Sequence, residues 1–492
     1  MLNKYVLGID QSTQGSKVLL FDVSGKLVER CDLVHKQHVS EQGWVSHDGE
    51  EIYNNIIRLV PMLVEKAGIR KEEIVCIGIS NQRETSIAWD ESGKPAAKAI
   101  VWQCARASSI TDNLEQLGFN DEIKNRTGIP LSPYFPAAKI AWLLKNEPGV
   151  KELLNKGELH IGTMDSYILY RLTNGTSYKT EYSNASRTQL FNISELQWDS
   201  KVCDMFGIPQ EILPTVCDSN AKFGETDFEG YLDVKIPILA MLGDSHGALY
   251  GHGCFQKGMV KATYGTGSSV MMNIGKEPII SKHGLITSLA YGINGEVDYV
   301  LEGNLNYTGA IIPWLIDGLG LIQSASETEQ LIKEANPLDT TYLVPAFSGL
   351  GAPYWNDDAK AVMNGMSRLT RKAEIVKAAV ESIAYQVTDI IFAMKEDANL
   401  EIPILRTDGG VTKNEYLMKF QSDLLHIPVY VPFVEEFSGL GVAYLAGITY
   451  GIYHKEQLFD QIQVKEYTFS MDEDVVKIKY EGWKKAVYSA IS

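Results

Sequence analysis

Tyr5-Val-Leu-Gly-Ile-Asp-Gln-Ser-Thr-Gln-Gly-Ser-Lys17, running into Val18-Leu-Leu-Phe-Asp22, is a design that the chain uses twice. The second copy is Val260-Lys-Ala-Thr-Tyr-Gly-Thr-Gly-Ser268, running into Ser269-Val-Met-Met272. Each reads as an apolar strand, a tight turn rich in Gly, Ser and Thr, and a second apolar strand. Small residues in such a turn let backbone N–H groups and hydroxyls come within reach of a phosphate. One Gly-Thr hairpin is an ordinary turn. Two copies, each near the start of its half, predict two facing lobes with a nucleotide clamped between them.

At 492 residues the chain is too long for one compact core and is read as two domains. Its 45% hydrophobic and 22% charged residues lie in the ordinary globular range. A net charge of −17 argues against nucleic acid or an anionic membrane as a partner, though not against a nucleotide held locally by amides and a metal ion. No apolar run approaches the ~20 residues of a membrane span, and no signal-peptide stretch precedes the first strand. Six scattered cysteines without a Cys-x-x-Cys pair predict reduced thiols and a cytoplasmic protein.

Strands alternate with helices along the chain, the pattern of an α/β protein. Ile74–Ser80, Ile236–Leu242 and Ile404–Thr407 are predicted buried strands. They deliver Asn81-Gln-Arg-Glu-Thr85, Gly243-Asp-Ser-His-Gly247 and Asp408-Gly-Gly-Val-Thr-Lys-Asn414 to their carboxyl ends, where open α/β sheets bind ligands. An apolar stripe through Ile375, Ala379, Ile383, Val387 and Ile391 predicts a long helix from about 373 to 396. With no low-complexity linker, the division falls just after the Gly243–Gly247 loop, giving domains 1–247 and 248–492.

Asp10 follows four apolar residues and precedes the first turn, so its carboxylate suits a Mg²⁺ near nucleotide phosphates, with Thr13 and Lys17 beside it. An Asp there also caps turns. Asp244, on a narrow loop, could accept a proton from an attacking hydroxyl, although a random loop Asp is more often merely solvated. Arg83 and Glu84 offer a donor fork and an acceptor for vicinal hydroxyls, against the bland reading of a surface ion pair. Trp102 and Tyr134 could wall a small carbohydrate site. Asp408-Gly409-Gly410 with Asn414 reads as a turn on which an adenine or ribose could lie. The histidines, including His35, His38, His246 and His252, lack metal-ligand spacing, and no Gly-x-x-x-x-Gly-Lys-Ser/Thr loop is present.

The ordered motifs resemble the FGGY carbohydrate kinase family, most closely its glycerol kinase branch. The resemblance runs from Gly8 to about Gly451 and includes Tyr134-Phe-Pro-Ala-Ala-Lys139-Ile-Ala-Trp142, Phe347-Ser-Gly-Leu-Gly-Ala-Pro-Tyr-Trp355 and Ala443-Tyr-Leu-Ala-Gly447. It implies two ribonuclease-H-like domains of the actin-like ATPase (sugar kinase/Hsp70/actin) fold with an interdomain cleft, and an ATP-dependent carbohydrate or polyol kinase using Mg²⁺. It further implies Asp244 as general base and Asp10 as the metal residue. Arg83, Glu84, Trp102 and Tyr134 fall on its polyol contacts; Thr13, Thr266, Gly267, Gly309, Gly410 and Asn414 fall on its ATP contacts. A small polyol or sugar is the implied partner, with no nucleic acid or membrane, and a homodimer is compatible with it.

The chain departs from that branch at the acceptor end. Ser245 stands where a Gln follows the base, Ser269 where a Phe packs on glycerol, and Ala105-Arg106 replaces a pair of arginines. Lys17 replaces an Arg in the first turn and Pro313 a Gln in the nucleotide region. Two serines leave a roomier, more polar pocket, which predicts a substrate larger than glycerol. The alternatives are a true glycerol kinase, a xylulokinase-type ketose kinase, and a non-catalytic actin-like ATPase sensor.

Overall fold

The computed structural model describes residues 3–356 and 358–492. In the first half, strands β1 (Tyr5–Gln11), β2 (Gly15–Phe21), β3 (Leu27–Val34), β4 (Ile74–Asn81) and β5 (Ile236–Gly243) form a sheet in the order 3-2-1-4-5. β1 to β3 pair antiparallel and β4 and β5 continue in parallel, with a short edge strand at Gly224–Thr226. The second half repeats this. There β6 (Val260–Tyr264), β7 (Ser268–Gly275), β8 (Ile286–Ile293), β9 (Glu296–Leu305), β10 (Leu405–Asp408) and β11 (Val429–Pro432) run in the order 8-9-7-6-10-11, with Val464–Tyr467 at the edge. Without the outer strand β8, the five strands 9-7-6-10-11 match 3-2-1-4-5 in order and direction. The duplicated hairpins are therefore the leading strands of two copies of one sheet, the twofold α/β architecture that the resemblance implied.

The three predicted buried strands all form, each reaching one residue beyond the sequence reading at its carboxyl end, the third beginning at Leu405 rather than Ile404. The apolar stripe becomes a helix over Lys372–Ala398, with Ala379, Ile383, Val387 and Ile391 buried. A smaller sheet in the first half, built from residues 37–39, 45–47, 86–89, 99–100 and 160–163, carries the segments around Trp102 and Tyr134.

Two helices join the halves. The first, Asp244–Gly251, follows β5 directly. The second, Phe437–Tyr450, comes from the far end of the chain yet packs on the first sheet, its Leu440, Val442 and Leu445 among Val6, Leu19, Phe21 and Leu242. Burying each such side chain favours this docking by about 1.5–3 kcal/mol. The sequence reading placed Gly243–Gly247 in a loop, and this is corrected: Gly243 ends β5 and Asp244–Gly247 is the first turn of a helix. Its glycines are read as loop signals but serve a close crossing. A Cβ on Gly247 would sit 2.8 Å from the Ser438 carbonyl, and one on Gly251 equally near that of Phe437.

Candidate active site

Asp244 is the first residue of the helix after β5, where a negative charge is favoured by the helix dipole. Its Oδ1 accepts the Ser245 N–H at 2.6 Å and lies 3.1 Å from Arg83 Nε. The Asp244 side chain remains about a third exposed, whereas Arg83 is buried. The contact is an ion pair without hydrogen-bond alignment, so Arg83 Nε–H is a buried donor with no partner. Arg83 crosses the strand end above Gly243, where a Cβ would fall 2.6 Å from Arg83 Cγ.

The other end of Arg83 is fully engaged. Both Nη groups donate to the Glu302 carboxylate at 2.9 Å each, and Arg187 Nη1 donates to the same group at 2.8 Å. Arg187 Nε donates to Glu84 Oε1 at 2.6 Å. A buried charge chain results: Asp244, Arg83, Glu302, Arg187, Glu84. Burial pushes the Glu302 carboxyl up, but Arg187 and Arg83 outweigh it and hold the group well below the usual carboxylate range. Glu84 adopts a left-handed backbone, φ 60°, to aim into this chain. Arg83 and Glu84 are thus not a surface pair. The free donor fork expected of Arg83 faces Glu302, and the Nε edge faces Asp244.

Trp102 and Tyr134 stand together, ring centroids 5.4 Å apart. Trp102 Nε1 donates to Thr13 Oγ1 at 2.9 Å, joining this wall to the first turn. Lys139 holds the segment from behind, donating to the Pro133 carbonyl at 2.5 Å and also to that of Tyr134. Ser245 and Ser269 are half-buried. Ser269 Oγ donates to Glu302 Oε1 at 3.2 Å, so one of the two hydroxyls expected to meet a longer substrate already has a partner.

In the first hairpin Asp10 lies opposite Lys17. Asp10 is buried, its Oδ1 has no partner, and desolvation pushes its carboxyl up to about 7 against the opposing pull of Lys17. An unpartnered buried carboxylate oxygen fits a divalent cation. Among the described residues no group of three or more His, Cys, Asp and Glu is arranged to hold a metal. A single carboxylate suits Mg²⁺, which keeps waters and takes the remaining ligands from substrate phosphates. Lys17 Nζ donates to Glu436 Oε2 at 2.5 Å, and Arg30 pairs with the same carboxylate. Glu436, at φ 68°, immediately precedes the helix Phe437–Tyr450.

The second turn, with exposed Thr266 and half-buried Gly267, is braced by Gly309 N–H donating to the Gly265 carbonyl at 3.0 Å. Gly309, Gly410 and Asn414 line one cavity of about 380 Å³ with Ile312, Thr328 and Leu417, within the size range of small-ligand sites. Asn414 is already occupied: Oδ1 caps Leu417 N–H at 2.8 Å and Nδ2 donates to Thr328 Oγ1 at 3.0 Å. Its part there is to shape the wall. A larger groove of about 810 Å³, between residues 24–30 and 433–463, contains none of the expected site residues.

The model of the FGGY family of carbohydrate kinases, N-terminal domain, matches residues 5–251, and that of the C-terminal domain matches 260–450. The chain belongs to the FGGY family of carbohydrate kinases. It is an ATP-dependent kinase of that family. Among similar proteins, glycerol kinase 1 of Thermotoga maritima is 45% identical over 98% of this chain and 99% of its own length. The glycerol kinase of Oceanobacillus iheyensis is 42% identical over 99% of this kinase and 98% of its own length. The crystal structure of Plasmodium falciparum glycerol kinase with ADP superposes with a TM-score of 0.93 at 35% identity, covering 100% of this chain and 99% of that one. A ligand-bound xylulose kinase from Lactobacillus acidophilus, at 20% identity, TM-score 0.88 and coverage of 99% and 97%, shares the fold. Among the described residues no helix is long and apolar enough to cross a membrane.

The kinase's structure brings Asp10, Thr13 and Trp102 to one locality, and Arg83, Glu84, Asp244 and Ser269 to another joined to it by charge, since Asp10 feels Asp244. Sequence reasoning missed Glu302, Arg187 and Glu436. For Glu302 there was a signal: it is the one acid in the stretch Tyr299-Val-Leu-Glu-Gly303, the buried middle of its strand. Arg187 and Glu436 carry no such mark.

Proposed function

We propose that this kinase transfers the γ-phosphoryl group of ATP to a terminal hydroxyl of a small polyol, glycerol being its reference substrate. The full-length likeness to proteins named glycerol kinase supports that choice. The observation that carries it is the pair just beyond β5 and β4: an Asp244 carboxylate, about a third exposed, 3.1 Å from a buried Arg83 Nε–H without a hydrogen-bond partner. A substrate hydroxyl can donate to that carboxylate, which Arg83 holds in place from its buried side. Asp244 takes the hydroxyl proton, the freed oxygen bonds to the γ-phosphorus, and the bond to the bridging oxygen breaks to leave ADP. Trp102 and Tyr134 cover the carbon skeleton.

The turns around Thr13 and Thr266, with Gly267 and Lys17, hold the phosphates; the Gly309–Gly410–Asn414 cavity takes the nucleoside. Asp10 is the residue for Mg²⁺, which when bound neutralises phosphate charge. Positioning supplies most of the acceleration. The two domains are residues 1–247 and 248–492, with the helix 437–450 returning to the first half. A cytoplasmic setting is supported by six free cysteines.

A second reading, a four- or five-carbon polyol or ketose, is favoured by the small Ser245 and Ser269. The bond from Ser269 to Glu302 weakens it, because that hydroxyl is already used. Measurement of kcat/KM for glycerol, erythritol, xylitol, ribitol and xylulose with ATP separates the readings. Glycerol in the lead supports the first; a longer substrate ahead by about tenfold or more supports the second. Transfer to none of them overturns both.

A further inference from the structure

We propose that Glu302 is a positioning residue for the acceptor site, fixing from the second half the two guanidinium groups of the first half that set the groups around Asp244 and Glu84. The inference rests on the reading of Arg83, Glu84 and Asp244 as that site. Glu302 sits in mid-strand, fully buried, with Met271 and Ile286 as its partners on the neighbouring strands. A carboxylate among such residues is costly unless its oxygens are satisfied. Here they receive both Nη groups of Arg83, Nη1 of Arg187 and the Ser269 hydroxyl. A well-packed apolar core would serve stability equally well or better.

What the carboxylate provides instead is orientation. With both Nη groups taken, Arg83 has only its Nε edge to present, 3.1 Å from Asp244. With Nη1 taken, Arg187 turns its Nε to Glu84. Removing the Glu302 charge leaves Asp244 as the nearest ionised partner of Arg83. The guanidinium then swings onto the group that must receive the proton. Because Glu302 belongs to the opposite sheet, acceptor binding also becomes dependent on the two halves standing in register.

The test uses Glu302→Gln, Glu302→Asp, Arg83→Ala and the double variant, each checked for folding by its melting temperature. Displacing a positioning group by about an ångström costs on the order of 100-fold, so Glu302→Gln is expected to lower kcat/KM for the best polyol by ~100-fold. The Kd for ADP, measured by calorimetry, should stay within about twofold, and Glu302→Asp should recover about tenfold of the loss. In the Arg83→Ala background the Gln substitution should cost no more than about threefold further, because the two residues act as one unit. If Glu302→Gln does not fold, the same cycle is read with Glu302→Asp. Full additivity, an equal loss in ADP affinity, or an unchanged polyol kcat/KM would each assign Glu302 to packing and overturn the proposal. If the unaltered protein phosphorylates none of the polyols, the proposed function fails and this inference with it.

Discussion

Trp102 Nε1 donates to Thr13 Oγ1 across 2.9 Å, so the Trp102–Tyr134 wall is fastened to the turn of the first hairpin. Under the proposed function this bond couples the polyol end of the site to the phosphate end. Trp102→Phe keeps an apolar ring and deletes the bond. A lost hydrogen bond of ~0.5–1.5 kcal/mol corresponds to roughly 2- to 13-fold, and that rise is expected in KM for ATP as well as for the polyol. Steady-state kinetics with each substrate varied in turn reads it; an unchanged KM for ATP would show that the bond transmits nothing.

Asp244→Asn should lower kcat by about 10² to 10⁴ while ADP affinity holds, because the amide keeps the shape but cannot take a proton. A loss under about tenfold in the folded variant assigns the proton to another group.

Lys17 shares Glu436 with Arg30 rather than standing free. Lys17→Met removes one cation from the phosphate end and should raise KM for ATP by about tenfold. It should leave the order of preference among polyols unaltered, and a reordering would move Lys17 to the acceptor end.

Ser269→Phe restores bulk at the acceptor end and removes the hydroxyl bonded to Glu302. The ratio of kcat/KM for glycerol to that for xylitol should rise by about 10-fold or more, the worth of a methylene or two in a pocket. A ratio unchanged within about twofold means that residue 269 does not face the substrate.

Lys139 supplies a pH dependence. Burial pushes its ammonium down to about 7, and as an amine it still has two N–H groups for the Pro133 and Tyr134 carbonyls. An unfolded lysine titrates near about 10.4. Between those values the unfolded chain binds the proton and the folded one does not, so this contribution to stability rises with pH across the window and is lost as pH falls through 7. In Lys139→Met the melting temperature should rise less between about pH 7 and pH 9.5 than in the parent. Parallel slopes by calorimetry would mean that Lys139 stays charged.

The strands and the long helix were legible because their pattern is local: Ile74–Ile79 and Ile236–Leu242 are apolar runs, and Ala379, Ile383 and Val387 recur every four residues. Asp10 and Asp244 were legible from their places at strand ends. The helix that begins at Asp244 was not, because Gly243 and Gly247 read as loop, whereas the smallness of Gly247 answers to a helix nearly 200 residues further along the chain. The setting of Arg83 was hidden for the same reason. Its partner Glu302 is 219 residues away, and only the fold shows that the fork is already taken.

The most direct test of the central claim follows the fate of the phosphoryl group. With the protein, ATP, Mg²⁺ and glycerol together, ³¹P NMR should show a phosphomonoester growing in step with ADP, and Asp244→Asn should slow it by about 10² to 10⁴. ADP accompanied only by inorganic phosphate, at equal rates with and without each polyol, would show an ATPase that transfers nothing and would contradict the account.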